Sequence, residues 1–453
     1  MTVPTPPPPP GLRRVALASL VGTAIEWYDF FIYGTAAVLV FAPQFFPGAS
    51  DFAGTLAAFS TLAVGFLARP LGGALMGHFG DRAGRKSMLV LSLLLMGGAT
   101  FAIGLLPTYD RIGLWAPIML VLLRFLQGFG VGGEWGGAVL LAVENAPPGK
   151  RGFYGSFPQM GVPAGVILSN SVFLIILATA GKQAFIDWAW RLPFLGSIVL
   201  VVAGMLIRAK IGETAEFAAR RSQGVRRNPL LSVIKRNPRQ LLLAGGTFLA
   251  NNAIGYIMIV YMLSYGTKTL KLSQNTMLTL VLIASAVWLV TLPLFSALSD
   301  QIGRRAVFTG GGIILLVWSI PFFLLLDTAS IPLMVVAVVV TALGLSATYG
   351  PQAALFAELF DADVRYSGAS LGYQLGAVFG GGFAPFIAAW LYGTTGSSLW
   401  IGGYLGVLAL ISFACITVLR ERARPTTEVG PSAPEGAGVR AHPRHRDAIS
   451  DIS

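Results

Sequence analysis

The sequence predicts an all-α membrane protein of twelve transmembrane helices in two pseudo-symmetric six-helix bundles, and three observations carry that prediction. The first is composition. Of 453 residues, 55% are hydrophobic and 11% charged, with a mean hydropathy of +0.71, whereas a soluble domain carries about 25% charged residues. The second is segmentation: twelve apolar stretches stand between polar gaps, most near the ~20 residues a helix needs to cross the hydrocarbon. The third is repetition. The phrase Gly77-His-Phe-Gly-Asp81-Arg82-Ala-Gly84-Arg85-Lys86 returns as Ser296-Ala-Leu-Ser-Asp300-Gln301-Ile-Gly303-Arg304-Arg305. The pair Glu144 and Arg151 returns as Glu358 and Arg365 at nearly the same offset. Two unrelated signals repeating at half the embedded chain indicate a duplicated bundle.

The elements follow in chain order. Residues 1–11 hold Pro4 and Pro6–Pro10 and are expected as a disordered, extended tail. The first bundle, 12–210, takes the stretches near 15–41, 54–77, 87–106, 115–144, 153–180 and 192–208. Its first stretch is too long for a signal-peptide core and has no small-residue cleavage site after it, so it stays as a helix. Its fourth holds Gly128, Gly130, Gly132, Gly133, Gly136 and Gly137, and small residues four apart let helices approach closely in lipid. Residues 211–239 are expected as a charged cytoplasmic linker. The second bundle, 240–420, takes 240–264, 275–298, 306–326, 331–357, 366–392 and 398–419, with a similar glycine series from Gly368 to Gly382. Residues 421–453 show no apolar period and are expected as a disordered tail beside the anionic inner leaflet. No stretch alternates apolar and polar over about ten residues as a membrane strand does.

The net charge of +12 reports topology rather than nucleic acid. With the N-terminus inside, Arg111, Lys182, Arg191, Lys268 and Lys271 alone fall outside, Arg69 and Arg124 fall within spans, and the other basic residues lie on the inner side. That asymmetry is the positive-inside rule, and it puts both termini in the cytoplasm. Cys415, the single cysteine, cannot make an intrachain disulfide or a metal cluster.

Ionisable groups inside the spans carry the functional signal. The first bundle holds Glu26, Asp29, Arg69, Arg124 and Glu134, each costing roughly 2.5–3.5 kcal/mol if left unpaired at mid-bilayer. At about 1.5 Å per residue, Glu26, Arg69 and Glu134 lie roughly 15–18 Å from the inner edge, with Asp29 one turn further out on the face of Glu26. Three acids and two bases are therefore expected to line one shaft, and a carboxylate without a fixed cation can carry a proton across. The second bundle offers only polar groups away from its helix ends, among them Asn251, Asn252, Tyr256, Tyr349, Gln352 and Gln374.

The Gly77–Lys86 phrase resembles the loop signature of the major facilitator superfamily between its second and third helices. Glu26-Trp27-Tyr28-Asp29-Phe-Phe, Arg69-Pro-Leu-Gly-Gly and Arg124-Phe-Leu-Gln127-Gly128 through Glu134-Trp135-Gly-Gly together resemble its metabolite:proton symporters, most closely the shikimate-permease-like branch. The resemblance covers roughly residues 12–420. It implies a substrate and proton site at Glu26, Trp27, Tyr28, Asp29, Arg69, Arg124, Gln127 and Glu134. It also implies an inner gate built from Gly77, Asp81, Arg82, Gly84, Arg85, Lys86, Glu144 and Arg151, with Asp300, Gly303, Arg304, Arg305, Glu358 and Arg365 from the second copy. Gln301 and Ser296 replace Arg82 and Gly77 in that copy, so its latch is expected to be the weaker.

The expected function is proton-coupled uptake of a small organic metabolite by alternating access, in a monomer of the bacterial inner membrane. The proton is the coupling ion, and neither cofactor nor metal is called for. Arg69 and Arg124 favour a carboxylate such as shikimate or a dicarboxylate, since arginine pairs bidentately with that group. Trp27, Tyr28 and Trp135 would suit a proline- or betaine-type osmolyte on aromatic faces. Export is less favoured, because Gly161-Val-Pro163-Ala-Gly165 lacks the fuller antiporter pattern. No catalytic motif appears, and His78, His442 and His445 lie in gaps or the tail, which argues against an enzyme.

Overall fold

Each apolar stretch becomes a helix because only a helix satisfies every backbone polar group within one lipid-spanning segment. The computed structural model describes residues 11–210 apart from 84 and 133, then 229–361 and 364–419. Within these ranges, side chains at 12–15, 77–87, 89, 134, 207–210 and 229–232 are not described. The expected N-terminal tail apart from Gly11, the whole expected C-terminal tail 421–453 and linker residues 211–228 lie outside the described residues. Ten helices are long and apolar enough to span: α1 (Ala16–Phe45), α2 (Asp51–Met76), α4 (Trp115–Glu144), α5 (Arg151–Ala189), α7 (Pro238–Thr269), α8 (Gln274–Ile302), α9 (Arg304–Asp327), α10 (Ile331–Leu359), α11 (Arg365–Thr395) and α12 (Leu399–Val418). Two shorter apolar helices, α3 (Val90–Leu105) and α6 (Arg191–Leu206), bring the set among the described residues to twelve.

The packing repeats between halves. In the first, α1 packs on α5, α2 on α4 and α3 on both α4 and α6; in the second, α7 packs on α11, α8 on α10 and α9 on both α10 and α12. The halves meet where α5 runs along α8 and α2 along α11. Burial separates central from peripheral helices: 89% of the apolar window of α1 and 83% of that of α7 is buried, against 33% for α9 and α12. Leucines such as Leu67, Leu71 and Leu294 stay exposed on outer faces, as lipid contact requires.

Glycine sets the close approaches. A Cβ on Gly128 would fall 2.0 Å from the Gly65 carbonyl oxygen, and one on Gly132 would fall 2.0 Å from that of Arg69. α4 therefore lies against the backbone of α2, and Arg69 and Arg124 are brought into one neighbourhood. Helix irregularities follow the symmetry in part, with one further π-helical turn at Tyr265–Thr269 in α7. π-helical turns occur at Ala37–Phe41 and Ile257–Tyr261, in α1 and α7, and at Phe185–Ala189 and Ala377–Gly382, in α5 and α11. Such turns often mark functional helices.

Candidate functional site

Between the halves lies a small closed cavity of about 20 Å³, walled by Glu26, Trp27, Phe30, Arg69, Trp135, Tyr373 and Gln374 among others. That is room for roughly one water molecule. Arg69 is 1% exposed. Its guanidinium carbon stands 4.3 Å from the Phe30 ring centroid, 4.5 Å from Phe66 and 5.3 Å from Trp27. Its Nε and Nη2 have no hydrogen-bond partner. Buried N–H groups normally find partners, and Arg69, a residue of the cavity wall, leaves these two unmet.

Behind this wall, inside the first half, stands a second charged group of residues. Arg124 is 0% exposed, with its guanidinium carbon 4.1 Å from the ring centroids of both Phe30 and Tyr33. Arg124 Nη1 donates to Gln127 Oε1. Gln127 Nε2 donates in turn to the Asp29 carbonyl at 3.0 Å and to Thr100 Oγ1 at 2.8 Å. Asp29 is 0% exposed, and both of its carboxylate oxygens lack a partner. The reason is local: the Thr100 hydroxyl donates to the Met96 carbonyl, and the Gln127 amide is spent on the Asp29 main-chain carbonyl and the Thr100 oxygen. Among the described residues no ion pair reaches Arg69, Arg124 or Asp29.

The second half supplies neutral polar groups. Trp135 stacks on Tyr373 at 4.0 Å and donates to Gln159, whose amide donates to the Tyr349 carbonyl across the halves. Gln374 Nε2 donates to the Gly132 carbonyl, leaving its Oε1 unpartnered, as are the Tyr256 hydroxyl, Asn252 Nδ2 and both amide atoms of Gln352.

Two ends close this centre. At one, both carboxylate oxygens of Asp300 accept backbone N–H bonds at 2.9 Å, from Gly152 and Phe153 at the start of α5. An acid there also faces the positive end of the helix dipole. Gly303 has φ 101°, a turn that glycine makes without strain, and it places Arg304 2.6 Å from Asp300 and 3.5 Å from Glu358. Arg365 reaches Glu144 at 3.4 Å. At the opposite end, Lys268 donates to Thr55 at 2.6 Å, joining α7 to α2, beside a mouth of about 760 Å³ that also holds Asp51 and Lys182.

A family model described as Major Facilitator Superfamily matches residues 19–372 and again 289–450. The chain belongs to the major facilitator superfamily. Across 381 residues it is 43% identical to the shikimate transporter of Escherichia coli K12, covering 83% of this chain and 87% of that protein. It is 34% identical over 433 residues to the proline/betaine transporter of the same strain, covering 93% and 86%. The crystal structure of a D-xylose-proton symporter superposes with a TM-score of 0.68 at 19% identity, covering 88% of this chain and 96% of that one, which bears on the fold. The protein is thus a membrane transporter of the shikimate-permease-like branch, not an enzyme.

Within this superfamily member the expected site residues separate into layers. Glu26, Trp27 and Arg69 line the cavity, whereas Arg124, Gln127 and Asp29 lie behind Phe30. The single shaft expected from the sequence is corrected accordingly: Asp29 is fully buried and is not among the residues that line the cavity. Tyr28 points away, its hydroxyl donating to the Pro193 carbonyl of α6 at 3.1 Å. The side chain of Glu134 lies outside the described residues, as do those of Gly77, Asp81, Arg82, Gly84, Arg85 and Lys86. Asp300 makes its contacts in a copy that carries Ser296 and Gln301 where the first carries Gly77 and Arg82. Glu144 and Glu358 pair with Arg365 and Arg304, while Arg151 is exposed. Phe30 and Tyr373 were not singled out from the sequence; aromatic residues flanking a named acid and a named glutamine were the available signal.

Proposed function

We propose that this transporter takes up a small organic carboxylate, of the shikimate or dicarboxylate kind, together with a proton by alternating access. The observation that carries the reading is Arg69: a buried guanidinium with two unpartnered nitrogens on the wall of a cavity between the halves. Asp29, a fully buried carboxylate with no partner, serves as the proton carrier, and Glu26 and Glu134 complete the polar site. Ligand pockets usually measure about 300–1,000 Å³, so the cavity of about 20 Å³ belongs to a closed state that must widen for binding. With both termini in the cytoplasm of a bacterial inner membrane, the Asp300 end is the inner gate and the Lys268 end the outer. Gly77, Asp81, Arg82, Gly84, Arg85 and Lys86 serve pseudo-equivalently at the start of α11. The protein acts as a monomer with no cofactor, as bundles 12–210 and 240–420 joined by the 211–239 linker.

The stacked pair Trp135 and Tyr373 favours one second reading, a betaine-type cation held on aromatic faces. A thermal-shift screen of shikimate, succinate, benzoate and betaine separates the two. Stabilisation by carboxylates that Arg69→Gln abolishes supports the first reading; stabilisation by betaine alone, unaffected by Arg69→Gln, supports the second.

A further inference from the structure

Phe30 is 2% exposed and touches both charged layers. Arg69 and Arg124 place their guanidinium carbons 4.3 Å and 4.1 Å from the centroid of this one ring. Trp27, Phe31, Phe66 and Tyr256 present T-shaped contacts to it at 5.7, 6.0, 5.2 and 6.0 Å, so the ring cannot turn without moving them. Phe30 and Arg69 face the cavity, whereas Arg124 does not. Asp29, the neighbouring residue in sequence, is likewise buried and absent from the cavity lining, and its main-chain carbonyl is tied to Arg124 through Gln127.

We infer that Phe30 is a positioning residue for coupling, the shared aromatic platform through which an anion on Arg69 is sensed at Arg124 and Asp29. The inference rests on the symport reading. The negative face of a ring attracts a cation, most strongly where water is excluded, and here two cations draw on one ring. An anion bound to Arg69 neutralises one of them and pulls its fork toward the cavity. The ring's attraction then falls to Arg124, and the potential at the Asp29 carboxylate changes without any contact between substrate and acid. Linkage makes the effect reciprocal, so a proton on Asp29 alters the affinity of Arg69 for its anion. The other groups facing this pair are the Tyr33 ring under Arg124 and the Tyr256 ring against Phe66, with Glu26 on the cavity side. Plain core packing would account for a buried phenylalanine; it would not require two arginines on the same face-bearing ring.

The test compares two rates in shikimate-loaded proteoliposomes: exchange without a gradient, and accumulation driven by an inward pH gradient. Phe30→Leu and Phe30→Met, which remove the ring from the cavity wall, are expected to lower accumulation about tenfold more than they lower exchange, so that the ratio of the two falls about tenfold. Phe30→Tyr keeps the ring and is expected to keep the parental ratio. A parental ratio in both aliphatic variants, even with both rates reduced together, overturns the inference; so does loss of exchange in both, which assigns Phe30 a structural role. A parent that exchanges without accumulating contradicts the symport reading itself.

Discussion

Replacing Asp300 by Asn tests whether the Asp300 end is held shut by charge. In the structure this carboxylate accepts two N–H bonds from the start of α5 and pairs with Arg304, and its side chain is only 6% exposed. Charge-assisted hydrogen bonds contribute about 1.5–3 kcal/mol each, and the helix dipole adds about 0.3–1 kcal/mol. An asparagine keeps one neutral acceptor and, through its amide, faces one N–H and the arginine with a donor. A net loss of about 2–4 kcal/mol follows from the two N–H bonds, and it falls on the closed state because those bonds cross between halves, whereas the Asp300–Arg304 pair lies within the second half and weakens in both states. At about 1.4 kcal/mol per tenfold, the closed-to-open ratio at this end falls by one to three orders of magnitude. Spin labels at the exposed positions Asn145 and Gln301, in a Cys415→Ser background, report the separation of the halves by pulsed dipolar spectroscopy. The expected result is a new long-distance population in Asp300→Asn. A distribution identical to the parent's would refute the latch.

Three further outcomes are expected. Glu144→Gln breaks a pair whose side chains are 34% and 31% exposed, so it shifts the same distance distribution by no more than about 1 kcal/mol after solvent screening, and the shift shrinks at high salt; a shift as large as that of Asp300→Asn would contradict this ranking. Gly128→Val drives a side chain into the Gly65 backbone and should abolish monodisperse elution in detergent, whereas Gly98→Ala, where nothing lies within 4 Å, should elute as the parent does. Asp29→Asn replaces a buried carboxyl group whose oxygens have no hydrogen-bond partner, so the melting temperature is expected to hold or rise while gradient-driven uptake is lost and exchange survives; a large fall in melting temperature would mean that Asp29 is structural.

Much of the fold is legible in the sequence because lipid imposes one dominant rule, and the apolar stretches mark the helices to within a few residues at most ends. The glycine series on the fourth stretch likewise marks a real close approach, at Gly128 and Gly132. The π-helical turns are not legible, since a one-residue change of register leaves the hydropathy pattern intact. Helical spacing set Asp29 beside Glu26, but three residues still rotate a side chain by about 60°, and the bulk of Phe30 is enough to divide the face into a wet and a dry side. The repeated Glu and Arg pairs identify charged helix ends, yet spacing along the chain cannot name partners: Glu144 meets Arg365 of the other half and Glu358 meets Arg304.

Uptake of radiolabelled shikimate into proteoliposomes under an imposed inward proton gradient tests the central proposal most directly. The expected result is accumulation above equilibrium that a protonophore collapses and that Asp29→Asn lacks. Equal uptake with and without the gradient, indifferent to the protonophore, would contradict proton-coupled symport.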